Sequence, residues 1–332
     1  MNLIALGRSA VAIGLIAVAM AWIAVAGGAA AATWRVAPDG AAATFGQALK
    51  RAADGDVIEV MPGHYRGEVA VITHKRLSIR GIGARPVFSA DGRHAEGKAI
   101  WVIRDGDITI DNIEFRGARV PDGNGAGIRF EHGRLRLVRC AFYDNEMGLL
   151  TSNDGDAELH IEDSQFGLAP QHAGSLHHLL YVGRIARFSV SGSHFSQGHI
   201  GHLIKSRARR SDIRHNHIVD GSAGRASYEI DLPNGGLAQV SDNRIGQSAL
   251  TENPALVSFG AEGAAWPHSA LSLERNTLIS ELAGPAFFLR VWTERLPPGT
   301  RIEVRGNRLS GQASLEAGPG ALLEDNLAIA PP

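Results

Sequence analysis

Segments with alternating apolar and polar residues recur along most of this chain. In each segment, apolar residues at every second position lead to a small polar residue and then to a large apolar one. A period of two is typical of β-strands that bury one face. Eight copies can be aligned: ITIDNIEF, LRLVRCAF, LHIEDSQF, FSVSGSHF, DIRHNHI, AQVSDNRI, LSLERNTL and IEVRGNRL.

The copies recur at the interval of a solenoid coil. Their final apolar residues lie about 23 to 33 residues apart, and forty glycines suit the turns between strands. We therefore expect an all-β protein, a single-stranded right-handed parallel β-helix in which each coil contributes one set of strands. The final apolar residues are Phe115, Phe142, Phe166, Phe195, Ile218, Ile245, Leu278 and Leu309.

Asparagine precedes the final apolar residue by two positions in four copies. Stacked coils would bring these amides into one ladder, in which each side chain bonds the next and satisfies the backbone of the turn. Four unrelated turn asparagines are the alternative, but their shared phase favours the ladder. The four residues are Asn216, Asn243, Asn276 and Asn307.

A capping helix is predicted near Gln47–Ala53, in the segment TFGQALKRAADGDVIEVMPGHYRGEVAVITHKRLSIRGIG, and short strands follow it. Such a helix would cover the core and the unpaired strand edges of the first coil. This segment resembles the opening of pectate-lyase-like (pectin-lyase-like) β-helix proteins, in which a short helix caps the first coil. The resemblance extends over most of residues 33–330, and a fold alone does not imply an activity.

Composition limits the possible partners. The 332 residues are 44% apolar, which is enough for a large core, and 33 Lys and Arg residues nearly balance 34 Asp and Glu residues. The chain therefore has no overall field that would attract nucleic acid or a membrane, and any attraction for a polyanion must be local. The single cysteine, Cys140, allows no internal disulfide and is interpreted as a buried packing residue.

The N-terminus has the pattern of a targeting segment. Arg8 precedes the uncharged run SAVAIGLIAVAMAWIAVAGGAAAAT, which ends in small residues. We expect a signal peptide over residues 1–32, cleavage near Ala32, and a periplasmic or secreted protein that is otherwise independent of the membrane. The apolar run is also long enough for an uncleaved inner-membrane anchor, which is the alternative.

Five apolar blocks recur at about the coil interval: GLLTS, HLLYV, HLIKS, YEIDL and ALVSF. Equivalent positions of parallel strands stack about 4.8 Å apart. One predicted column contains Thr151, Tyr181, Lys205, Asp231 and Ser258, and a second contains His178, His202 and Tyr228. We expect the Lys205 column to face outward, into an open groove, because buried charges would need complete pairing.

The surroundings of this column are rich in titratable residues. Eight of the fourteen histidines fall between His172 and His217. A solvated polar face with internal pairs, such as Lys205 with Asp231, would explain each residue singly. Their concentration on adjacent coils favours a functional site. Nearby basic residues are Arg207, Arg209, Arg210, Arg214 and Arg225.

Elimination from a 4-linked uronate needs a cation for the carboxylate, a base for the C5 proton and an acid for the leaving oxygen. The stretch LIKSRARRSDIRHN resembles the lysine-bearing coil of the chondroitinase B and alginate lyase family of β-helix lyases. This resemblance implies that Lys205 is the base and that an arginine one coil later assists. The chain departs from the pattern, because Asp231 stands where that arginine is expected, and Arg207 or Arg225 would have to substitute.

The favoured function is therefore that of an exported, monomeric lyase acting on an acidic, uronate-containing polysaccharide. No cofactor is expected, although Glu229 and Asp231 could together bind Ca²⁺. The predicted catalytic residues are Lys205, Tyr181, His202, Arg207 and Asp231. The predicted substrate-binding residues are His178, Arg209, Arg210, Arg225, Tyr228, Glu229 and Asn234.

Other functions stay open at the level of sequence. An inverting glycosidase needs two separated carboxylates, for which Glu229, Asp231 and Asp220 are candidates. A C-5 epimerase would share the lyase machinery, and a non-catalytic carbohydrate-binding or export protein would need none. Zinc-binding spacings, phosphate loops, nucleophile elbows and dinucleotide fingerprints are absent from the sequence. The adjacent His177 and His178 would point to opposite faces of a strand, which disfavours a shared metal.

Overall fold

Each inner coil of the described chain contributes one short strand to each of three parallel sheets, and the first and last coils contribute fewer. The computed structural model describes residues 30–38, 42–171 and 176–330, and the described chain from Ala31 onwards forms one compact unit. Neighbouring strands of a sheet are one coil apart in sequence, so the chain visits the other two sheets before it returns. This is the predicted right-handed parallel β-helix.

The three sheets contain the following strands within the described residues. Sheet 1 consists of Thr33–Val36, Val57–Val60, Arg76–Gly81, Asp107–Asp111, Arg134–Val138, Glu158–Glu162, Arg187–Ser191, Arg210–Arg214, Leu237–Ser241, Ala270–Glu274, Arg301–Arg305 and Leu322–Glu324. Sheet 2 consists of His64–Arg66, Val87–Ser89, Glu114–Arg116, Ala141–Tyr143, Gln165–Gly167, His194–Ser196, His217–Val219, Arg244–Gln247, Thr277–Ser280, Arg308–Ser310 and Leu327–Ala328. Sheet 3 consists of Ala70–Ile72, Ala99–Ile103, Ala126–Phe130, Met147–Thr151, Leu180–Val182, Ile204–Ser206, Ile230–Leu232, Ala255–Phe259, Ala286–Val291 and Ala313–Glu316.

The final apolar residues of the sequence copies form a stack through the core. The ring centroids of Phe115 and Phe142 are 5.2 Å apart, and those of Phe142 and Phe166 are 4.6 Å apart. Phe195 follows at 4.8 Å from Phe166. Strand spacing in a parallel sheet brings equivalent rings to the distance at which aromatic side chains stack. The column continues in register with Ile218, Ile245, Leu278 and Leu309.

A short helix, Phe45–Arg51, covers the core at the first coils. Its Phe45 ring is buried and stacks on Trp101 at 4.3 Å between centroids. The capping helix is confirmed, but it begins and ends two residues before the predicted range, Gln47–Ala53. It begins earlier because Thr44 forms a capping box with the third residue of the helix.

The predicted signal peptide or anchor lies outside the described residues, apart from residues 30–32. His172 also lies outside them. Within the described ranges, no helix is long and apolar enough to cross a bilayer. The targeting prediction therefore stays a prediction.

The four predicted asparagines stack at the corner between sheet 1 and sheet 2. Their side-chain amides donate to the side-chain oxygen of the next asparagine at 3.0, 3.0 and 3.1 Å. Asn243, for example, also donates to the Ile213 carbonyl at 2.8 Å and accepts the Asn216 backbone N–H at 2.9 Å. The ladder is confirmed, and Asn326 extends it by one coil.

The ladder continues in the other direction with smaller side chains. The N–H of Ser193 donates to Asn216 Oδ1 at 2.9 Å, and the N–H of Ser164 donates to Ser193 Oγ at 3.0 Å. Cys140 occupies the next position, where its N–H donates to Ser164 Oγ at 3.1 Å. Burial raises the pKa of the Cys140 thiol to about 12. Cys140 is thus a packing residue at the corner, as its sequence context indicated.

The carboxyl group of Glu229 interrupts the apolar interior. Glu229 is fully buried at the position that Leu203 and Leu256 hold in the neighbouring coils. Among the described residues, neither of its carboxyl oxygens has a hydrogen-bond partner. Burial, and then the charge of the nearby Asp220, raise the pKa of Glu229 well above its usual value. Burial also raises the pKa of Asp220, to about 6.

Asn243→Ala should lower the free energy of unfolding by about 2–4 kcal/mol, because each buried polar group left unsatisfied costs roughly 1–3 kcal/mol. Asn326→Ala removes the equivalent amide at the half-exposed end of the ladder, where water can replace the lost bonds, so its cost should be clearly smaller. Denaturant unfolding of both variants measures the difference. Equal losses would show that burial does not set the strength of the ladder.

Glu229→Leu should stabilise the protein by about 1–3 kcal/mol near pH 8, since it removes an unsatisfied buried polar group and completes a column of leucines. A carboxyl group whose pKa is raised by folding favours the folded state most below its unfolded pKa, and this contribution declines as pH rises towards the folded pKa. The stability gain should therefore widen with rising pH. Unfolding curves of both proteins between about pH 5 and about pH 8 test this. A gain that stays constant would contradict ionisation of Glu229 as its cause.

Candidate functional site

A column of polar side chains runs along the outer face of sheet 3. Tyr181 pairs with Lys205 in the adjacent strand. Lys205 in turn pairs with Asp231, and Asp231 pairs with Ser258. The residues that flank Lys205 and Asp231 in their strands are fully buried, so alternation places this column outside. For these four residues the predicted column and its direction are confirmed.

Thr151 does not belong to this column. Tyr181 pairs with Leu150, and Thr151 points inward, where its hydroxyl accepts the Gly183 N–H at 2.7 Å. The predicted alignment was one residue out. Both blocks contain two consecutive leucines, so their apolar pattern does not define the register between them.

Lys205 is buried and fully paired, which corrects the expectation of an open groove. Its ammonium lies 3.2 Å from Asp231 Oδ2 and 2.6 Å from Glu262 Oε1. Glu262 belongs to the segment 260–269, which follows the strand Ala255–Phe259 and reaches back over the column. The sequence prediction missed this cover because Glu262 lies 57 residues from Lys205.

Asp231 is almost completely buried, and its partners compensate for that burial. Ser258 Oγ donates to Asp231 Oδ1 at 2.9 Å, and His202 Nδ1 lies 3.3 Å from Oδ2. Burial raises the pKa of Asp231, but the neighbouring His202, Lys205 and Ser258 together lower it below its usual value. Asp231 is therefore a stable carboxylate that holds the Lys205 ammonium in place.

Arg207 forms the second cationic group of the site. Its Nε donates to the Tyr181 hydroxyl at 2.8 Å, and its Nη1 donates to Asn234 Oδ1 at 2.7 Å. Its Nη2 lies 2.6 Å from Glu262 Oε2. Burial lowers the pKa of Arg207, but the bonds to Tyr181 and Glu262 raise it by more, so the guanidinium stays charged. Lys205 and Arg207 thus share the two oxygens of one carboxylate.

The second predicted column is also present. The ring centroids of His178 and His202 are 4.7 Å apart, and those of His202 and Tyr228 are 4.9 Å apart. The backbone N–H of His202 donates to His178 Nδ1 at 2.9 Å, so the proton of a neutral His178 ring lies on Nε2. Burial is the largest of the causes that lower the pKa of His178 well below its usual value. His178 is therefore a neutral hydrogen-bond donor beside the Lys205 column.

Other predicted residues lie apart from Lys205. Arg225 pairs with Glu252 at 2.5 Å. Arg209 and Arg210 line a depression of about 340 Å³ where central strands of sheet 1 begin, together with Arg187. Asn234 instead supports the site, because it accepts from Arg207 and donates to the Gly263 carbonyl at 2.6 Å.

The predicted pairing of Glu229 with Asp231 does not form. Glu229 lies in the interior, whereas Asp231 projects from the outer face, because the chain bends just before the strand Ile230–Leu232. Asp220 is also buried in the interior. These carboxylates therefore do not converge on one calcium ion or flank one sugar. In the part of the chain that the structure describes, no three His, Cys, Asp or Glu side chains are grouped closely enough to hold a metal ion.

Four residues of the site were missed from the sequence. Glu262 and Trp266 lie in the segment 260–269, and Trp266 Nε1 donates to the Arg207 carbonyl at 3.0 Å. The Arg184 guanidinium lies 4.2 Å from the Trp266 ring centroid and donates to the Ala264 carbonyl at 3.0 Å. Arg129 belongs to the outward column, two coils before Tyr181. Only the coil alignment could have indicated Arg129, and no periodic signal marks the other three.

Comparisons with known proteins reveal the fold. No family model matches the sequence, and the search of curated proteins finds no match. Pectate lyase Pel9A, a crystal structure, is similar with a TM-score of 0.59 and 13% identity, over 87% of this chain and 79% of that chain. An alginate lyase from Paenibacillus sp. str. FPU-7 is similar with a TM-score of 0.50 and 15% identity, over 86% of this chain and 98% of that chain. The chain is thus a pectate-lyase-like parallel β-helix.

Proposed function

We propose that this protein is an exported polysaccharide lyase that cleaves a uronate-containing glycan by β-elimination. The observation that supports it most is the pair of cations outside sheet 3, since Lys205 and Arg207 together bind the carboxylate of Glu262. A uronate presents the same group. The fold likeness to a pectate lyase and an alginate lyase agrees with this reaction class.

The reaction removes the C5 proton and breaks the bond between C4 and the glycosidic oxygen, while a C4–C5 double bond forms. In our proposal, Arg207 neutralises the uronate carboxylate and so stabilises the charge that develops when C5 loses its proton. Lys205 binds the uronate as the ammonium, loses its own proton to solvent, and then accepts the C5 proton as the free amine. Tyr181 gives a proton to the leaving oxygen, because its hydroxyl oxygen accepts from Arg207 and leaves the hydroxyl hydrogen free.

The other residues of the two columns position these groups. Asp231 holds Lys205 at 3.2 Å, and His202 lies against the same carboxylate oxygen. The neutral His178 and the half-buried Tyr228 would donate hydrogen bonds to sugar hydroxyls. The predicted contacts of Arg209, Arg210 and Arg225 would be with more distant sugars. Glu229 has no contact with the glycan, because its side chain is internal. We propose that a single copy of the chain carries the site.

Substitution of Lys205 tests the reaction. Lys205→Gln keeps a hydrogen-bond donor for Asp231 but removes the base, and it should lower turnover by roughly 10²- to 10⁴-fold. Lys205→Arg keeps the charge but cannot accept a proton, so it should not restore turnover. The measurement is ultraviolet absorbance of the new double bond with polygalacturonate, alginate and glucuronate-containing glycans.

Lys50→Gln on the exposed side of the capping helix is the matched control and should leave turnover unchanged. Circular dichroism of each variant excludes loss of fold as the cause. Wild-type activity in Lys205→Gln would place catalysis elsewhere. Recovery in Lys205→Arg would show that Lys205 acts only through its charge. Glycan binding without any new absorbance would favour a binding protein.

Export is the second part of the proposal, and it rests on the uncharged N-terminal run and its small-residue end. The mature protein should begin near Ala32 or Thr33 when it is recovered from the periplasm or the medium. N-terminal sequencing of fractionated protein measures this. An intact N-terminus on membrane-bound protein would instead establish the anchor.

A further inference from the structure

The carboxylate of Glu262 occupies the place that the proposed function needs for a substrate. One of its oxygens lies 2.6 Å from Lys205 Nζ and the other lies 2.6 Å from Arg207 Nη2. Two cations that each hold one oxygen of a planar carboxylate form a site of the kind that recognises carboxylates. We propose that Glu262 is an internal substitute for a uronate, and that its two oxygens mark the carboxylate subsite of the glycan. This inference rests on the proposed function.

The charges of the cluster support displacement of Glu262. Two cations, Lys205 and Arg207, face two carboxylates, Asp231 and Glu262, so the closed cluster has no net attraction for an anion. When Glu262 leaves, one positive charge is uncompensated. One uronate carboxylate restores the balance. The cluster is therefore built to hold one carboxylate at this position at a time.

Glu262 is the member of the cluster that can leave most readily. Its side chain is 42% exposed, whereas those of Lys205 and Asp231 are 8% and 2% exposed. An exposed carboxylate keeps much of its hydration, and such ion pairs contribute little net stability. Asp231, by contrast, would lose buried partners without gaining water. The exchange with a substrate must therefore involve Glu262.

The backbone around Glu262 is tied down, so the exchange falls to its side chain. Asn234 Nδ2 donates to the Gly263 carbonyl at 2.6 Å, and the Pro233 carbonyl accepts the Glu262 N–H at 3.0 Å. Trp266 is held through its indole N–H to the Arg207 carbonyl. Rotation of the Glu262 side chain into solvent opens the two cations while these bonds persist.

The carboxylate subsite that Glu262 occupies is selective for uronates over neutral sugars. A neutral sugar offers nothing that could replace the two ion pairs, so its binding would leave Glu262 in place or two cations unpaired. A uronate replaces both contacts. Competition by Glu262 lowers the affinity for uronates by the fraction of time that the site is closed. A neutral sugar makes no ion pair with the two cations whether or not Glu262 is charged, so its affinity does not depend on Glu262.

Binding to Glu262→Gln tests the inference. The isosteric amide keeps the shape of Glu262 but not its charge, so the affinity for a uronate oligosaccharide should rise roughly 3- to 30-fold over wild type. The affinity for the same oligosaccharide with its carboxyl groups reduced to alcohols should stay unchanged. Isothermal titration calorimetry with both probes gives the two ratios. Glu262→Ala, measured in parallel, removes any residual hydrogen bond from the amide.

Glu324→Gln is the matched control. Glu324 is half-exposed and pairs with Arg305 at 3.4 Å, but this pair lies on sheet 1, whereas the Lys205 column lies on sheet 3. It should bind both probes like wild type. Equal or weaker uronate binding by both Glu262 variants would overturn the inference while the proposed function stands. A gain for the reduced probe as large as that for the uronate would also overturn it. If neither wild type nor variant binds uronate, the proposed function itself fails.

Discussion

Main-chain hydrogen bonds between successive coils place each residue directly above its counterpart, about 4.8 Å away. This spacing applies to side chains as much as to backbone. Equivalent positions must therefore hold groups that tolerate one another at stacking distance. Phenyl rings meet this condition in the core, and asparagine amides meet it at the corner because each can donate and accept. A buried charged residue meets it when the next coil supplies the opposite charge, as Asp231 does for Lys205.

The Lys205 column shows how this constraint produces a site. Lys205 and Asp231 are direct neighbours on adjacent strands, so each is the first partner of the other. Lys205 needs more than one partner once the segment 260–269 covers it, and Glu262 supplies the second. The result is a closed cluster in which each charge has a partner. Buried charges of this kind cost free energy unless all are paired, so the cluster is more readily explained by function than by stability.

Glu229 shows the opposite outcome of the same constraint. It lies one coil from Leu203 on one side and Leu256 on the other, and neither can offer a hydrogen bond. Burial without a hydrogen-bond partner raises the pKa of its carboxyl group. The pKa values of two acidic residues in one short segment, Glu229 and Asp231, therefore shift in opposite directions. The direction of each side chain, inward for Glu229 and outward for Asp231, decides this difference. The composition of the segment does not.

The alternation of apolar residues and the phase of the asparagines determined the β-helix and its ladder, because both are periodic and each coil repeats them. The pairing of Tyr181, Lys205 and Asp231 followed from the same alignment. Only the tertiary structure showed that Glu262 closes the column, since a non-repeating turn leaves no periodic signal and the contact spans 57 residues. It also placed Glu229 inside. A bend before the strand changes the direction of a side chain, and a two-residue period cannot express that bend.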